Sequence, residues 1–275
     1  MNISDFEACW AERQPDRADM ADFWTRRAES FNAHAGEEGS RVYRQRLVEK
    51  LAARAHIGKA DAVLDVGCGP GRHALSFARL AGAVEGCDIA PGMITCAQQN
   101  ALDENLPNAS FRVLDWAGAD LERLGWKKRF RLVFASRTPA VYNRSTLEKM
   151  TEASSGYCCL LTQVTSDNSV RRELAPLVDD TSHEEFTRRG LYCAFNLLWL
   201  EGYYPEVEYQ ERSWDSECPL EEAILMYTRH FNSRGQLSGE QRAALARRLS
   251  ELSTNGMVKE KGSSRVALLF WNARP

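Results

Sequence analysis

The feature that most constrains this chain is a glycine-rich turn at residues 63–74, VLDVGCGPGRHA, which joins an apolar run to a helical segment. Gly67, Gly69 and Gly71 have no Cβ atom, so the backbone there can adopt positive φ and come close to a ligand. A strand, a glycine loop and a helix in this order are typical of α/β folds that bind nucleosides. The turn therefore indicates both a fold class and a kind of ligand.

Short apolar runs alternate with helical stretches from residue 60 to residue 164. The runs are AVLDVG, AVEGCDI, SFRVLDW, RLVFAS and YCCLLTQV. Apolar runs of this kind between helices are typical of parallel strands that are buried on both faces. The pattern predicts an α/β fold with a doubly wound sheet.

The segments on either side of this core have different patterns. Residues 1–56 have helical periodicity, with apolar residues at helical spacing between residues 41 and 55. A helix is predicted from about residue 182 to residue 202, and strands at residues 207–214 and 265–274, with a helical insertion at about 215–263. We interpret residues 1–275 as one domain with an N-terminal helical part (1–56), a core (57–164) and a second half (165–275).

Composition and cysteine spacing argue against several kinds of partner, location and metal site. There are 35 basic and 38 acidic residues, a net charge of −3, and the basic residues are dispersed, which does not favour a nucleic acid partner. We find neither a secretory signal at the N-terminus nor an apolar run of about 18 residues, so we expect a cytoplasmic protein with no membrane association. None of the eight cysteines has CxxC spacing, so we expect neither disulfides nor a metal site.

Two acidic residues narrow the choice of ligand. Asp88 ends the second apolar run about 20 residues after Gly67, where a carboxylate can bind both hydroxyl groups of a ribose. Asp65 lies two residues before the first glycine, and the loop reads GCGPG, whereas the dinucleotide fingerprint is GxGxxG.

With these features, residues 60–164 resemble class I S-adenosylmethionine (SAM) dependent methyltransferases, in particular the small-molecule members. The resemblance implies a Rossmann-like, seven-stranded, mostly parallel sheet with an N-terminal helical lid and a helical insertion before the last strand. It also implies SAM as cofactor and S-adenosylhomocysteine (SAH) as product.

The resemblance further implies roles for individual residues. Asp65 would orient the loop and approach the methionine amino group, Asp88 would hold the ribose, and Ser136 would lie beneath the transferred methyl group. The remaining cofactor positions are Gly67, Cys68, Gly69 and Gly71 around the methionine part, Ile89 and Met93 flanking the adenine, and Asp115 with Trp116 at the adenine amino group.

The text DFWTRRAESFN at residues 22–32 resembles a lid found in small-molecule members of this family. In such lids an aromatic side chain replaces water over the cofactor. Trp24 and Phe31 are the candidates for this role here.

No catalytic group is identified by the sequence. The candidates are His34, Tyr142 and Asn143, while Arg137 and Thr138 could orient an acceptor. The segment SRTPAVYN at residues 136–143 stands where amino-methylating members have Asn or Asp, two prolines and an aromatic residue. For His73 we favour a structural or packing role, and for the aromatic residues Trp199, Tyr203, Tyr204 and Trp214 we favour the core.

The resulting prediction is a methyltransferase that acts on an unidentified small molecule. The alternatives are a SAM-binding protein with chemistry other than methyl transfer, a non-catalytic regulator that responds to SAM, and a nucleic acid methyltransferase. The sequence leaves the oligomeric state open between monomer and homodimer.

Overall fold

A computed structural model describes residues 2–10, 17–36, 38–179, 183–232 and 236–274, apart from the side chains at positions 34, 36, 183–188 and 212. The side chain of the candidate His34 lies outside this description.

The first part of the chain is helical and the core then alternates strands with helices. The three leading helices are α1 (Ile3–Trp10), α2 (Arg17–Gly36) and α3 (Glu38–Ala55). The core elements are β1 (Ala62–Val66), α4 (Arg72–Ala78), β2 (Ala83–Asp88), α5 (Pro91–Asp103), β3 (Ala109–Val113), β4 (Phe130–Ser136), α6 (Arg144–Ala153) and β5 (Ser154–Asn168).

The rest of the chain departs more from the predicted boundaries. It contains α7 (Ser169–Leu174), a 3-10 turn (Ala175–Val178), α8 (His183–Leu200), β6 (Glu206–Pro219), α9 (Leu220–Asn232), α10 (Gly239–Leu252), β7 (Ser253–Thr254) and β8 (Met257–Asn272). The helical insertion therefore ends at residue 252, because β8 begins well before the apolar run that marked the last strand in the sequence.

The strands form a mostly parallel sheet with the order β3-β2-β1-β4-β5-β8-β6, which confirms the doubly wound α/β prediction. The predicted count of seven was wrong by one among the described residues, because the two-residue strand β7 pairs with β8 in an antiparallel turn. β1 pairs in parallel with β2 and β4 at the centre. β1 and β4 are largely buried, as their apolar sequences predict.

The chain divides into two compact units. The first contains residues 1–162, 190–208 and 268–275, and the second contains residues 163–189 and 209–267. The second unit has its own apolar cluster, formed by Val170, Leu174, Ala223, Tyr227, Phe231, Leu237, Leu245, Leu249 and Val258. The description of residues 1–275 as one domain stays a prediction.

Two sequence-based expectations are settled by burial and helix length. Trp199, Tyr204 and Trp214 are 51%, 65% and 38% exposed, so placing them in the core was wrong. Trp199 stands on the outer face of α8, where apolar spacing alone does not show which side of the helix faces the sheet. Among the described residues, no helix has the length and apolar character needed to cross a membrane.

Glu85 on β2 is a buried carboxylate that the sequence pattern did not identify. It accepts a hydrogen bond from the fully buried Trp126 indole at 3.0 Å, and it pairs with Arg112 at 3.1 Å and Arg129 at 2.5 Å. These contacts satisfy both carboxylate oxygens, which is the condition for burying the charge.

We expect Glu85→Ala to lower the free energy of unfolding by about 1–3 kcal/mol, because it leaves the buried Trp126 N–H without an acceptor. The matched control is Glu104→Ala, whose carboxylate also pairs with two arginines but is 29% exposed. The control should lose less than about 1 kcal/mol. Urea denaturation measures both values, and equal losses would contradict the role given to Trp126.

Candidate functional site

The carboxyl ends of four neighbouring strands bring the predicted cofactor residues to one edge of the sheet. Val66 of β1 pairs with Cys87 of β2 and with Ala135 of β4. Asp88 and Ser136 therefore both lie beside the start of the glycine loop. Asp88 in turn pairs with Val113 of β3, and Leu114 donates its N–H to the Asp88 carbonyl at 2.8 Å, so Asp115 reaches the same edge.

The glycine loop is held by the Asp88 carboxylate. One oxygen accepts the Gly69 N–H and the other accepts the Ala90 N–H, each at 2.9 Å. Burial raises the pKa of Asp88, while these two N–H groups act in the opposite direction. Asp88 thus joins the loop to the end of β2.

Asp65 is buried at the end of β1, with 2% exposure. One of its oxygens accepts the Ala74 N–H in the first turn of α4 at 3.1 Å. Burial raises the pKa of this carboxyl to about 8, against the effect of that hydrogen bond. A cationic ligand group near Asp65 would favour its ionised form.

The three loop glycines have different neighbours. A Cβ on Gly67 would lie 1.9 Å from the Thr138 hydroxyl, and a Cβ on Gly71 would lie 2.8 Å from the Phe111 ring, so both glycines are required for packing within the protein. A Cβ on Gly69 would meet only ordinary contacts, at 3.9 Å from Met93 Sδ and from Phe31 Cε1. Gly69 is therefore the loop glycine where a Cβ could be accommodated, and the two side chains nearest to that position belong to predicted cofactor residues.

Helix α2 lies over this edge, as the lid resemblance implied. Trp24 packs against the cluster of Ala28, Ala90 and Met93, and its ring contacts Phe31 with centroids 5.8 Å apart. Phe31 remains 47% exposed. These contacts place both lid candidates next to the loop and α5.

Arg17, at the start of α2, was missed by the sequence analysis. It donates to Asp115 at 2.6 Å and to the Tyr142 hydroxyl at 3.3 Å. Asp115 also accepts the Ala117 N–H at 3.1 Å. The predicted adenine acid and the candidate Tyr142 therefore meet at one polar cluster on this edge.

Other candidates have structural roles for their side chains. The Trp116 indole is buried and donates to the Thr146 carbonyl at 2.9 Å, and the Cys68 thiol is buried, which raises its pKa. Asn143 caps α6 by accepting the Thr146 N–H at 2.9 Å, which explains this residue without a catalytic role. Ile89 is half-buried directly after Asp88.

His73 packs against Phe134 with ring centroids 5.2 Å apart. Burial lowers the pKa of its imidazole to about 3, so the ring is neutral at physiological pH and is a poor proton acceptor there. Its position supports the structural role favoured from the sequence.

Comparisons with known proteins agree with this geometry. Residues 63–155 match the family model described as a methyltransferase domain. Magnesium protoporphyrin IX methyltransferase from Synechocystis, solved with bound SAH, has 14% identity and a TM-score of 0.54, over 93% of this chain and 99% of that one. The YcgJ protein from Bacillus subtilis has 15% identity and a TM-score of 0.52, over 83% of this chain and 98% of that one.

Curated relatives match shorter stretches or at lower identity. A 23S rRNA (uracil(1939)-C(5))-methyltransferase from Aeromonas hydrophila is 36% identical over 84 residues, which is 30% of this chain and 19% of that enzyme. The corresponding enzyme from Marinomonas posidonica is matched over 27% of its length. An uncharacterized protein from Haemophilus influenzae is 24% identical over 84% of this chain and 82% of its own length. This chain thus spans only about a fifth to a quarter of the rRNA enzymes.

Residues 63–155 are a methyltransferase domain, and the fold is that of the class I SAM-dependent methyltransferases. The Synechocystis enzyme has also been solved with bound SAM, the cofactor that the sequence predicted for this chain. The role of each individual residue in holding it stays a prediction.

The residues at the edge fit this cofactor. The Ser136 hydroxyl and the Trp24 indole N–H are buried polar groups with no hydrogen-bond partner among the described residues. Such groups are costly unless a ligand or water completes them. Together with Gly69 and its neighbours Met93 and Phe31, they provide polar and apolar surface for a bound nucleoside.

We expect Gly69→Ala to weaken SAH binding by about tenfold or more, because its Cβ would enter the space between Met93 and Phe31. Gly125→Ala is the matched control, since Gly125 also has positive φ, +64° against +54°, and nothing lies within 4 Å of its Cβ position. Both variants should lose about 1–2 kcal/mol of stability from the backbone conformation. Calorimetric titration with SAH separates them, and unchanged affinity in Gly69→Ala would contradict the site.

Asp65 should make stability depend on pH. Its pKa is about 8 in the folded chain and about 4 when unfolded, so its stabilising contribution is complete below about pH 4 and is lost as the pH rises toward about 8. Asp65→Asn removes this loss, so the variant should gain stability relative to the wild type across that range while its SAM affinity falls. Urea denaturation across the pH range, with SAM titration, tests both effects.

Parallel stability curves for Asp65→Asn and the wild type between about pH 4 and about pH 8 would show that folding does not raise the pKa of this carboxyl. Undiminished SAM affinity in the variant would remove Asp65 from the site.

Proposed function

We propose that this chain transfers the methyl group of SAM to a small-molecule acceptor and releases SAH. The observation that carries the proposal is helix α2, which lies along the cofactor edge from Arg17 at Asp115 to Phe31 at Gly69. A folded polymer would need this edge open, whereas a small molecule needs only a narrow path to the methyl group.

The charges near the edge also favour a small acceptor. Arg17 pairs with Asp115 at 2.6 Å, Arg72 with Glu104 at 3.2 Å, and Arg144 with Glu201 at 2.9 Å. Cations that are neutralised by carboxylates do not form the concentrated positive surface that a phosphate backbone requires. This argues against RNA as acceptor, despite the short matches to rRNA methyltransferases.

The proposed mechanism depends on alignment and exclusion of water. SAM supplies an electrophilic methyl group on a sulfonium centre whose leaving group is neutral. Asp65 would hold the methionine amino group of the cofactor and Asp88 its ribose, while Trp24 and Phe31 on the lid exclude water from it. Ser136, whose buried hydroxyl has no partner among the described residues, would face the reacting centre and orient the acceptor.

The Tyr142 hydroxyl, which accepts from Arg17 beside Asp115, remains a second candidate to contact the acceptor. No general base is assigned, and an acceptor that loses its proton late would need none. The cytoplasmic location expected from the sequence stays a prediction.

The proposal is tested by incubating the protein with SAM labelled on the methyl group, in parallel with a small-molecule cell extract and with total cellular RNA. We expect label in the extract, with one SAH released for each methyl group transferred. Asp88→Ala should reduce this transfer by about tenfold or more, because the loop loses its anchor. Label in RNA alone, or a nucleoside product other than SAH, would overturn the proposal.

A further inference from the structure

Two asparagines connect the C-terminal part of the lid helix α2 to the glycine loop. Asn32 follows Phe31 on α2, and Asn100 is a 5% exposed residue on α5. The Asn100 amide donates to Asn32 Oδ1 at 2.9 Å, and the Asn32 amide donates to Asn100 Oδ1 at 3.4 Å. The two side chains therefore form a reciprocal amide pair.

Asn100 also holds the glycine loop. Its Nδ2 donates to the Pro70 carbonyl at 2.8 Å, in a buried contact. The N–H of the same peptide group, on Gly71, donates to the Cys68 carbonyl at 3.1 Å. The peptide group between Pro70 and Gly71 is thus hydrogen-bonded through both its carbonyl and its N–H. The partner of the carbonyl, Asn100, also donates to Asn32 on the lid helix.

Arg72 completes the connection from α4. Its Nε donates to Asn32 Oδ1 at 3.1 Å, and its Nη1 pairs with Glu104 at 3.2 Å. Asn32 Oδ1 therefore accepts from both Asn100 and Arg72. Asn32 follows Phe31, whose ring lies beside Gly69, so these bonds hold the part of α2 that carries that ring.

We propose that Asn32 and Asn100 are positioning residues for the cofactor: their amide pair joins the lid helix to the Pro70 carbonyl, so that lid and loop adopt the binding geometry together. A site whose parts are already ordered loses less conformational entropy on binding, and it retains its ligand longer. The inference rests on SAM binding at this edge and is independent of the acceptor.

The proposal predicts that an Asn→Asp change weakens SAH binding much more at position 100 than at position 32. Asn32→Asp keeps the oxygen that accepts from Asn100 and Arg72 and loses only the longer 3.4 Å hydrogen bond to Asn100 Oδ1. Asn100→Asp instead loses the donor to Asn32 and places an oxygen against the Pro70 carbonyl. We expect the dissociation constant for SAH to rise by about tenfold or more in Asn100→Asp and by about five- to tenfold in Asn32→Ala. Asn32→Asp should recover most of the affinity that Asn32→Ala loses.

Asn108→Asp is the matched control for Asn100→Asp. The Asn108 amide also donates to a helix-end carbonyl, that of Ala78 at 2.8 Å, but it lies before β3, at the opposite edge of the sheet. This variant should lose stability without any change in SAH affinity.

The readouts are SAH titration, the SAH dissociation rate, and hydrogen exchange of α2 amides with and without SAH, together with urea denaturation to correct for stability. In the wild type we expect SAH to protect α2, and in Asn32→Ala and Asn100→Asp we expect faster SAH dissociation and about tenfold less protection.

Equal SAH dissociation rates in the wild type, Asn32→Ala and Asn100→Asp would overturn the inference, as would the same affinity loss in Asn32→Asp as in Asn32→Ala. If the wild type itself does not bind SAH, the proposed function fails as well, so the two failures are distinguishable.

Discussion

The hydrogen bond from the Gly69 N–H to the Asp88 carboxylate is the contact on which the cofactor edge depends. It joins the loop after β1 to the end of β2, and the loop in turn begins helix α4. A carboxylate that accepts two backbone N–H groups can be buried at the sheet edge with its charge partly compensated. The remaining desolvation cost is visible in the raised pKa of Asp88.

The neighbouring Asp65 shows that this edge is not optimised for stability. Its burial, with one backbone N–H to compensate, raises its pKa to about 8. Two carboxyl groups lie in one small region, together with the buried Ser136 hydroxyl and Trp24 N–H, which have no partner in the part of the chain that the structure describes, and burying such groups is costly. Binding sites commonly retain such costs because the ligand offsets them.

Helix α2 is held along its length by interactions of different kinds. Arg17 provides a partly exposed ion pair at one end, Trp24 packs on α5 in the middle, and Asn32 takes part in a polar network at the other end. The polar contacts give the helix a defined position, which apolar packing alone would leave less specific. Helix α2 is therefore attached to the carboxyl edge of the sheet at three places along its length.

The fold was predictable because its pattern is local and repeated. Apolar runs such as RLVFAS and YCCLLTQV are long enough to identify buried parallel strands, and the glycine loop marks the end of β1. Prediction failed for Trp199 and Tyr204, because the burial of an aromatic side chain depends on whether another part of the chain packs against it. It also failed at the start of β8, because the strand extends through polar residues there. The cap formed by Asn143 on α6 was also not anticipated from the sequence, and its role as a candidate catalytic group stays a prediction.

The sequence by itself determined the fold class, and it predicted a cofactor and the edge of the sheet that would hold it, because the carboxyl ends of adjacent parallel strands meet at one edge. Only the tertiary structure decided which groups complete that edge. Asn32 and Asn100 are 68 residues apart, and Arg17 and Asp115 are 98 residues apart, so no local pattern relates the members of either pair. Only the structure shows that Gly67 and Gly71 have no room for a Cβ while Gly69 does, because the side chains that pack against Gly67 and Gly71 come from distant segments.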